Sequence, residues 1–193
     1  MKRKERLREK YLDMRKNIDV SKVKEASTQI IDYFLELPEF NKTKNILCYI
    51  SYRNEVNTYP LIKKLAKDEK KEVFAPYCIK EEKRLEIALV RDLDKDVAPG
   101  AYGIPEPRKE LRGYHSIDQV DLVVVPAVAF SRNGFRVGYG GGYYDRFLDR
   151  LNDDVITVGF TYDKLLFDTV PKDEHDRSVD IVITDTEIIY CNK

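Results

Sequence analysis

The chain is poor in the residues that staple, chelate or span. It has three cysteines in 193 residues, Cys48, Cys78 and Cys191, widely separated and odd in number. No CxxC pair or other metal-like spacing occurs, so they read as reduced thiols of a cytoplasmic protein, not a disulfide frame. Two histidines, His115 and His175, are too few for a multi-histidine zinc site. The longest apolar run, residues 122–130, contains Pro126 and is too short to cross a bilayer. The basic N-terminal segment lacks the apolar stretch of a signal peptide, and no membrane partner is expected. An excess of one charge is missing too, since 34 Lys and Arg balance 34 Asp and Glu. Nucleic-acid binders usually carry a large basic excess, so no nucleic-acid partner is expected either.

Hydrophobic residues make up 42% and charged residues 35%, as in a globular protein. The length suits one substantial domain, spanning 1–193, that buries roughly 70% of its unfolded surface. Its oligomeric state stays open between monomer and weak dimer. The charge is uneven, with residues 1–16 locally +5 and residues 163–180 locally −3. Both stretches could be solvated surface, or the basic one could fold back onto an anionic ligand.

Leu7, Tyr11, Met14 and Ile18 form one apolar stripe, which predicts a basic helix over 2–18. A second helix is expected to start near Ser21, with Pro38 beyond its end, and a third after Thr58 as N-cap. Strands are expected at 45–51, 72–79, 84–90, 121–130, 155–160, 180–184 and 187–190, with 91–118 irregular. The valine run in 121–130 suits a strand covered on both faces. This alternation predicts an α/β fold: a single three-layer domain with a largely parallel sheet and helices on both faces. Ligands of such sheets collect beyond the carboxyl ends of the strands.

Beyond one such end lies GFRVGYGGGYYDRF, residues 134–147. Gly138, Gly140, Gly141 and Gly142 fall within five positions and feed a helix-like segment. Glycine tolerates positive φ and close ligand approach, and a glycine-rich turn presents free N–H groups in a concave arc. The pattern is not a Walker A loop, because no Lys-Ser or Lys-Thr closes it. It is not a dinucleotide fingerprint, because Tyr143 replaces the third glycine. The turn could need glycine for backbone reasons alone. Arg132, Arg136 and Arg146 around it suit an anion, and Asp145 suits a divalent metal riding on that anion.

Four further clusters accompany the loop: KERLR at 4–8, Glu55 after a strand in SYRNEVNT, YGIPEP at 102–107, and PKDEHDRSVD at 171–180. In this order they resemble the 5-formyltetrahydrofolate cyclo-ligases, or methenyltetrahydrofolate synthetases, from Lys4 to Thr184. The resemblance implies ATP and Mg2+, with 5-formyltetrahydrofolate converted to 5,10-methenyltetrahydrofolate. It implies that Lys4, Glu5, Arg6, Leu7 and Arg8 bind ATP together with Arg136, Val137, Gly138, Tyr139, Gly140, Gly141, Gly142, Tyr143 and Tyr144. It assigns the metal to Asp145 and Asp176. It places folate against Ile50 and Glu55, and Tyr102 and Tyr143 are added as candidate ring contacts. Some relatives carry Lys at the Gly141 position, so here Arg136 and Lys4 are expected to face the transferring phosphoryl group. The residues alone also admit another phosphate-handling α/β enzyme, of sugar-phosphate isomerase or acyl-transfer type, or a non-enzymatic anion- or RNA-binding module.

Overall fold

The computed structural model describes residues 2–191, with side chains from Lys4 onward. Met1, Asn192 and Lys193, at the ends of the expected 1–193 domain, lie outside the described residues. Six helices are described: α1 (Lys2–Lys16), α2 (Val20–Glu36), α3 (Pro38–Lys42), α4 (Tyr59–Leu65), α5 (Leu93–Asp96) and α6 (Tyr143–Leu148). The strands begin with β1 (Asn45–Cys48), β2 (Glu72–Ile79), β3 (Arg84–Leu89), β4 (Val97–Pro99), β5 (Pro105–Pro107) and β6 (Leu122–Val125). They continue with β7 (Ala129–Ser131), β8 (Arg136–Val137), β9 (Ile156–Phe160), β10 (Leu166–Phe167), β11 (Ile181–Ile183) and β12 (Ile188–Tyr190).

A seven-stranded sheet in the order β12-β11-β9-β6-β1-β2-β3 forms the centre. Its inner pairings are parallel, and only β3 and β12 at the edges run antiparallel to their neighbours. Alternation along the inner strands sends side chains to two faces. Ile46, Cys48, Leu122 and Val124 pack with Ile30 and Phe34 of α2 and Leu61, Ile62 and Leu65 of α4. Leu47, Val123 and Val125 pack on the other face with Phe147 of α6. The sheet is therefore covered by helices on both faces, as the strand-helix alternation predicts. No helix among the described residues is long and apolar enough to cross a membrane.

Local chemistry explains several boundaries that differ from expectation. Helix α1 stops at Lys16, not at 18. Asn54 Nδ2 donates to the carbonyls of Arg15, Lys16 and Ile18 at 3.3, 3.2 and 3.4 Å, satisfying the last turn from outside. Thr58 precedes α4 but does not cap it with its side chain. Its hydroxyl donates to Tyr49 O at 2.6 Å and accepts from Ser51 N at 3.0 Å, closing the β1–α4 loop on itself. The strand expected over 45–51 ends at Cys48 for the same reason.

The strand expected over 121–130 is two strands. Pro126 has no N–H for the ladder, so β6 ends at Val125. The chain then leaves the central sheet. Val128 N donates to Val137 O at 2.8 Å, and β7 pairs with β8 and β10 in a separate small sheet. The β7–β8 hairpin delivers the glycine loop to the carboxyl end of β6. From β1 the sheet grows toward β2 on one side, and from β6 toward β9 on the other. The carboxyl ends of β1 and β6 thus flank a topological switch point, where open α/β sheets bind ligands.

Candidate active site

Helix α1 lies against the glycine loop through a row of residues spaced by four, three and four: Lys4, Arg8, Tyr11 and Arg15. Tyr11 is buried and stacks on Phe167, ring centroids 4.4 Å apart, which anchors the helix. Arg8 Nε donates to Gly138 O at 2.7 Å. Gly140 has φ +98°, and a Cβ there would stand 3.2 Å from Arg8 Cζ. Arg146 holds the far side of the loop by donating to Gly141 O at 2.6 Å and Lys83 O at 2.9 Å. The helix that follows, α6, has only six residues, so its dipole adds little. Arg8 and Arg146 thus both donate to the loop backbone, Arg8 from α1 and Arg146 from α6. Arg132 does not join them, because its guanidinium donates to Glu187 Oε1 at 2.7 Å.

The basic and acidic stretches read from the sequence meet. Lys4 Nζ donates to Asp173 Oδ2 at 3.0 Å and also to Asp176 Oδ2. Partial burial pulls the Lys4 ammonium down, but the bonds and charges of Asp176 and Asp173 outweigh it, and its pKa ends above the ordinary lysine value. Arg136 is 5% exposed. Its Nη1 donates to Arg177 O at 2.6 Å and its Nη2 to Asp145 Oδ1 at 2.5 Å. Burial lowers its pKa, and Asp145 and Asp176 oppose the shift. Arg136 was expected at the transferring phosphoryl group. Its buried guanidinium instead orients Asp145 and ties down the segment that carries Asp176. Among the described residues no cluster of three or more His, Cys, Asp or Glu is arranged to hold a metal. A magnesium ion needs only one or two protein carboxylates when phosphates and waters complete its octahedron, so Asp145 and Asp176 are a chemically suitable pair.

Glu55 is 8% exposed at the carboxyl end of β1. Its Oε2 accepts from Tyr52 N at 2.9 Å and its Oε1 from the Tyr139 hydroxyl at 2.7 Å. Burial raises the Glu55 pKa, and the bond from Tyr139, the charge of Arg15 and the Tyr52 N–H offset part of that rise. A cleft of about 360 Å³, lined by Glu55 with Val20, Val23, Ser51, Arg53, Asn54, Asn57 and Tyr59, opens beside it. Ile50 is 3% exposed within the core next to this loop.

Tyr102 and Tyr143 approach from distant segments, hydroxyl to hydroxyl at 3.4 Å. Tyr102 is 66% exposed at φ +57°, with the Lys80 ammonium 5.1 Å from its ring centroid. The Tyr144 hydroxyl is buried with no hydrogen-bond partner among the described residues. Such an orphan is rare in native proteins and costs about 1–3 kcal/mol. Val137 is fully buried and Leu7 packs against the core, whereas Glu5 and Arg6 are exposed.

Sequence reasoning missed Arg15. It is 3% exposed, and its Nη1 donates to Ala127 O at 3.1 Å and lies 3.8 Å from Glu55 Oε1. Its Nη2 donates to the Tyr139 hydroxyl. One side chain thus joins α1, the end of β6, the glycine loop and the β1–α4 loop. The signal was present, because position 15 continues the row 4, 8, 11 at helical spacing.

Comparison with known proteins places this arrangement. The profile of the 5-formyltetrahydrofolate cyclo-ligase family matches residues 1–185. The chain is 28% identical over 175 residues to the 5-formyltetrahydrofolate cyclo-ligase of Haemophilus influenzae, covering 90% of this chain and 93% of that one. The NMR structure of Aquifex aeolicus 5,10-methenyltetrahydrofolate synthetase superposes with a TM-score of 0.84 at 31% identity, over 98% of this chain and 93% of that one. A Mycoplasma pneumoniae 5,10-methenyltetrahydrofolate synthetase shares the fold at a TM-score of 0.74 and 22% identity, over 94% and 98% of the two chains.

Proposed function

The chain belongs to the 5-formyltetrahydrofolate cyclo-ligase family, and on that premise we propose that it uses ATP and Mg2+ to convert 5-formyltetrahydrofolate to 5,10-methenyltetrahydrofolate. The products include ADP and phosphate. The observation that carries the reading is the laying of α1 across the glycine loop. Arg8 sits on Gly138 and Gly140, and Lys4 sits on Asp173 and Asp176. Residues far apart in sequence thus meet at the switch point, and we read that meeting as the phosphate-binding surface.

The chemistry explains why such a surface suffices. A formamide oxygen is a poor leaving group until it is phosphorylated. Once the γ-phosphoryl group has moved onto it, the neighbouring folate amine attacks the formyl carbon. The five-membered ring closes and phosphate departs. No covalent nucleophile on the protein is needed. The protein must align triphosphate and folate and neutralise charge. Arg8 and the N–H groups of the glycine loop receive the phosphates, and Lys4 adds positive charge beside Asp176. Arg136 holds Asp145 in place. Asp145 and Asp176 are the residues that would hold magnesium, which when bound supplies charge neutralisation on the phosphates.

Folate is read by Glu55, because a pterin offers ring N–H donors that a buried carboxylate accepts in charge-assisted bonds. Tyr102 and Tyr143, which meet hydroxyl to hydroxyl, offer flat surfaces for its rings. We further infer one domain and a cytoplasmic setting, with which the free Cys48, Cys78 and Cys191 accord. The test is the growth of methenyl-folate absorbance on mixing the protein with ATP, Mg2+ and 5-formyltetrahydrofolate, with dependence on each. No absorbance change with all three present would overturn the reading.

A further inference from the structure

The acid assigned to folate already has a donor on it, and that donor comes from the loop assigned to nucleotide. Tyr139 stands between Gly138 and Gly140, and its hydroxyl donates to Glu55 Oε1 at 2.7 Å. Arg15 donates to the same hydroxyl from the other side and has its guanidinium carbon 5.3 Å from the ring centroid. Glu55 Oε2 is taken by Tyr52 N–H. A pterin presenting two N–H groups therefore meets a carboxylate with both oxygens engaged. The Tyr52 bond is a loop contact three residues away and holds the carboxylate in orientation. The Tyr139 bond is the one that can break. Its residue is 48% exposed, so the ring has solvent to move into.

We propose that Tyr139 is a latch on the folate site, that Arg15 positions the latch, and that nucleotide binding releases it. The proposal rests on the assignment of the glycine loop to nucleotide and of Glu55 to folate. The transmission is short. Arg8 now donates to the neutral carbonyl of Gly138, at 2.7 Å. A phosphate oxygen is a stronger acceptor than a carbonyl, because its bond to a guanidinium is charge-assisted on both sides. A triphosphate that takes Arg8 therefore frees the Gly138 carbonyl. The loop segment that carries Tyr139 can then move, and Glu55 exchanges the tyrosine hydroxyl for a folate N–H. A buried carboxylate has to keep a donor, so the exchange is favourable only when folate is there to replace the tyrosine. By linkage, folate must tighten nucleotide binding by the same factor that nucleotide tightens folate.

The test is calorimetric titration with 5-formyltetrahydrofolate, with and without a saturating non-hydrolysable ATP analogue and Mg2+. In the unmodified protein the nucleotide should tighten folate by about tenfold, the worth of one hydrogen bond to a charged group. Tyr139→Phe removes the hydroxyl and keeps the ring, so folate alone should bind about tenfold more tightly than before and the ratio should fall toward one. Arg15→Lys keeps the charge and loses the fork, so it should give an intermediate ratio. Two results overturn the proposal: a nucleotide that leaves folate affinity unchanged in the unmodified protein, or a Tyr139→Phe variant that binds folate more weakly in both states with the ratio preserved. The second is the signature of a tyrosine that merely supports the site. If the unmodified protein binds neither ligand, the proposed function fails and the latch fails with it.

Discussion

A pair of alanine substitutions in the glycine loop separates what the glycines do for the fold from what they do for a ligand. At Gly140, φ is +98°, where a Cβ is strained by about 1–2 kcal/mol. The methyl would also press on the Arg8 guanidinium at 3.2 Å. For a chain of this size 1 kcal/mol moves the melting midpoint by about 2–4 °C. Gly140→Ala should therefore melt roughly 2–8 °C lower, the two figures combined. Gly138 behaves differently. It does not have positive φ, and nothing lies within 4 Å of where its Cβ would be. Alanine there should leave stability unchanged or raise it by up to about 1 kcal/mol, through a stiffer unfolded chain. Yet Gly138 also carries the carbonyl that Arg8 holds at 2.7 Å, in the loop where the phosphates are expected. A methyl group in it shifts the reacting phosphoryl, and a misplacement of about 1 Å can cost around a hundredfold in rate. The assay is single-turnover phosphate release beside thermal melts of both variants. Gly138→Ala should melt normally and turn over about a hundredfold more slowly. A Gly138→Ala protein that turns over at the unmodified rate would refute the reasoning, because the open face would then not be where the phosphates lie.

Other perturbations probe the remaining parts of the site. Asp145→Asn leaves the buried Arg136 an oxygen to donate to but removes the larger of its two counter-charges, Asp176 being the other, so unfolding should be easier by about 1–3 kcal/mol by denaturant titration. Turnover of that variant should collapse at all magnesium concentrations. Lys4→Ala releases Asp173, which is largely solvated and loses little, and Asp176, which is only 14% exposed and is left without its cation, so stability should fall by about 1–3 kcal/mol. ATP affinity by calorimetry should fall in the still folded protein, and equal affinity would remove Lys4 from the nucleotide site. Glu55 has a pKa raised by burial, so the folded protein binds its proton more readily than the unfolded chain. Its contribution to stability is therefore complete below the unfolded carboxylate value and is lost as pH rises through the folded one. Relative to Glu55→Gln, the unmodified protein should gain stability as pH falls from 7 toward 5 in denaturant titrations, and the opposite slope would contradict the burial argument.

The central sheet was legible because its strands carry a strong signal: short unbroken apolar runs rich in valine between turn residues, such as residues 122–125, suit strands covered on both faces. The break after Val125 was less so. Pro126 marks it, but the apolar residues continue to Phe130, and only the β8 and β10 partners reveal that the chain has changed sheets. The glycine loop and the Lys4–Arg8 spacing stood out in the sequence, but both admitted plain structural readings; what the structure adds is their contact, Arg8 on Gly138 across 130 residues. What sequence could not supply was who answers whom. Arg136 stands in the middle of the loop motif, yet it turns inward to Asp145 and the Arg177 carbonyl. Arg132 looked equally suited to an anion and belongs to Glu187. Arg15 looked like one more surface charge on a basic helix and is buried. Apart from Arg136 and Asp145, nine positions apart, these pairings span 41 residues or more, where periodicity carries no information.

The contact between Lys4 and Asp176 also has a consequence in time. The two residues are 172 positions apart. During synthesis at about 5–20 residues per second, the helix that bears the lysine waits roughly ten to thirty seconds before its carboxylate partner exists. Until the glycine loop has been made, 130 residues beyond Arg8, α1 has neither it nor the acidic segment to fold onto. The proposed nucleotide site is therefore not assembled until the chain is almost finished, and binding competence would be a late event in biogenesis. On a translating ribosome, a nucleotide probe would stay silent through most of the chain and then respond abruptly.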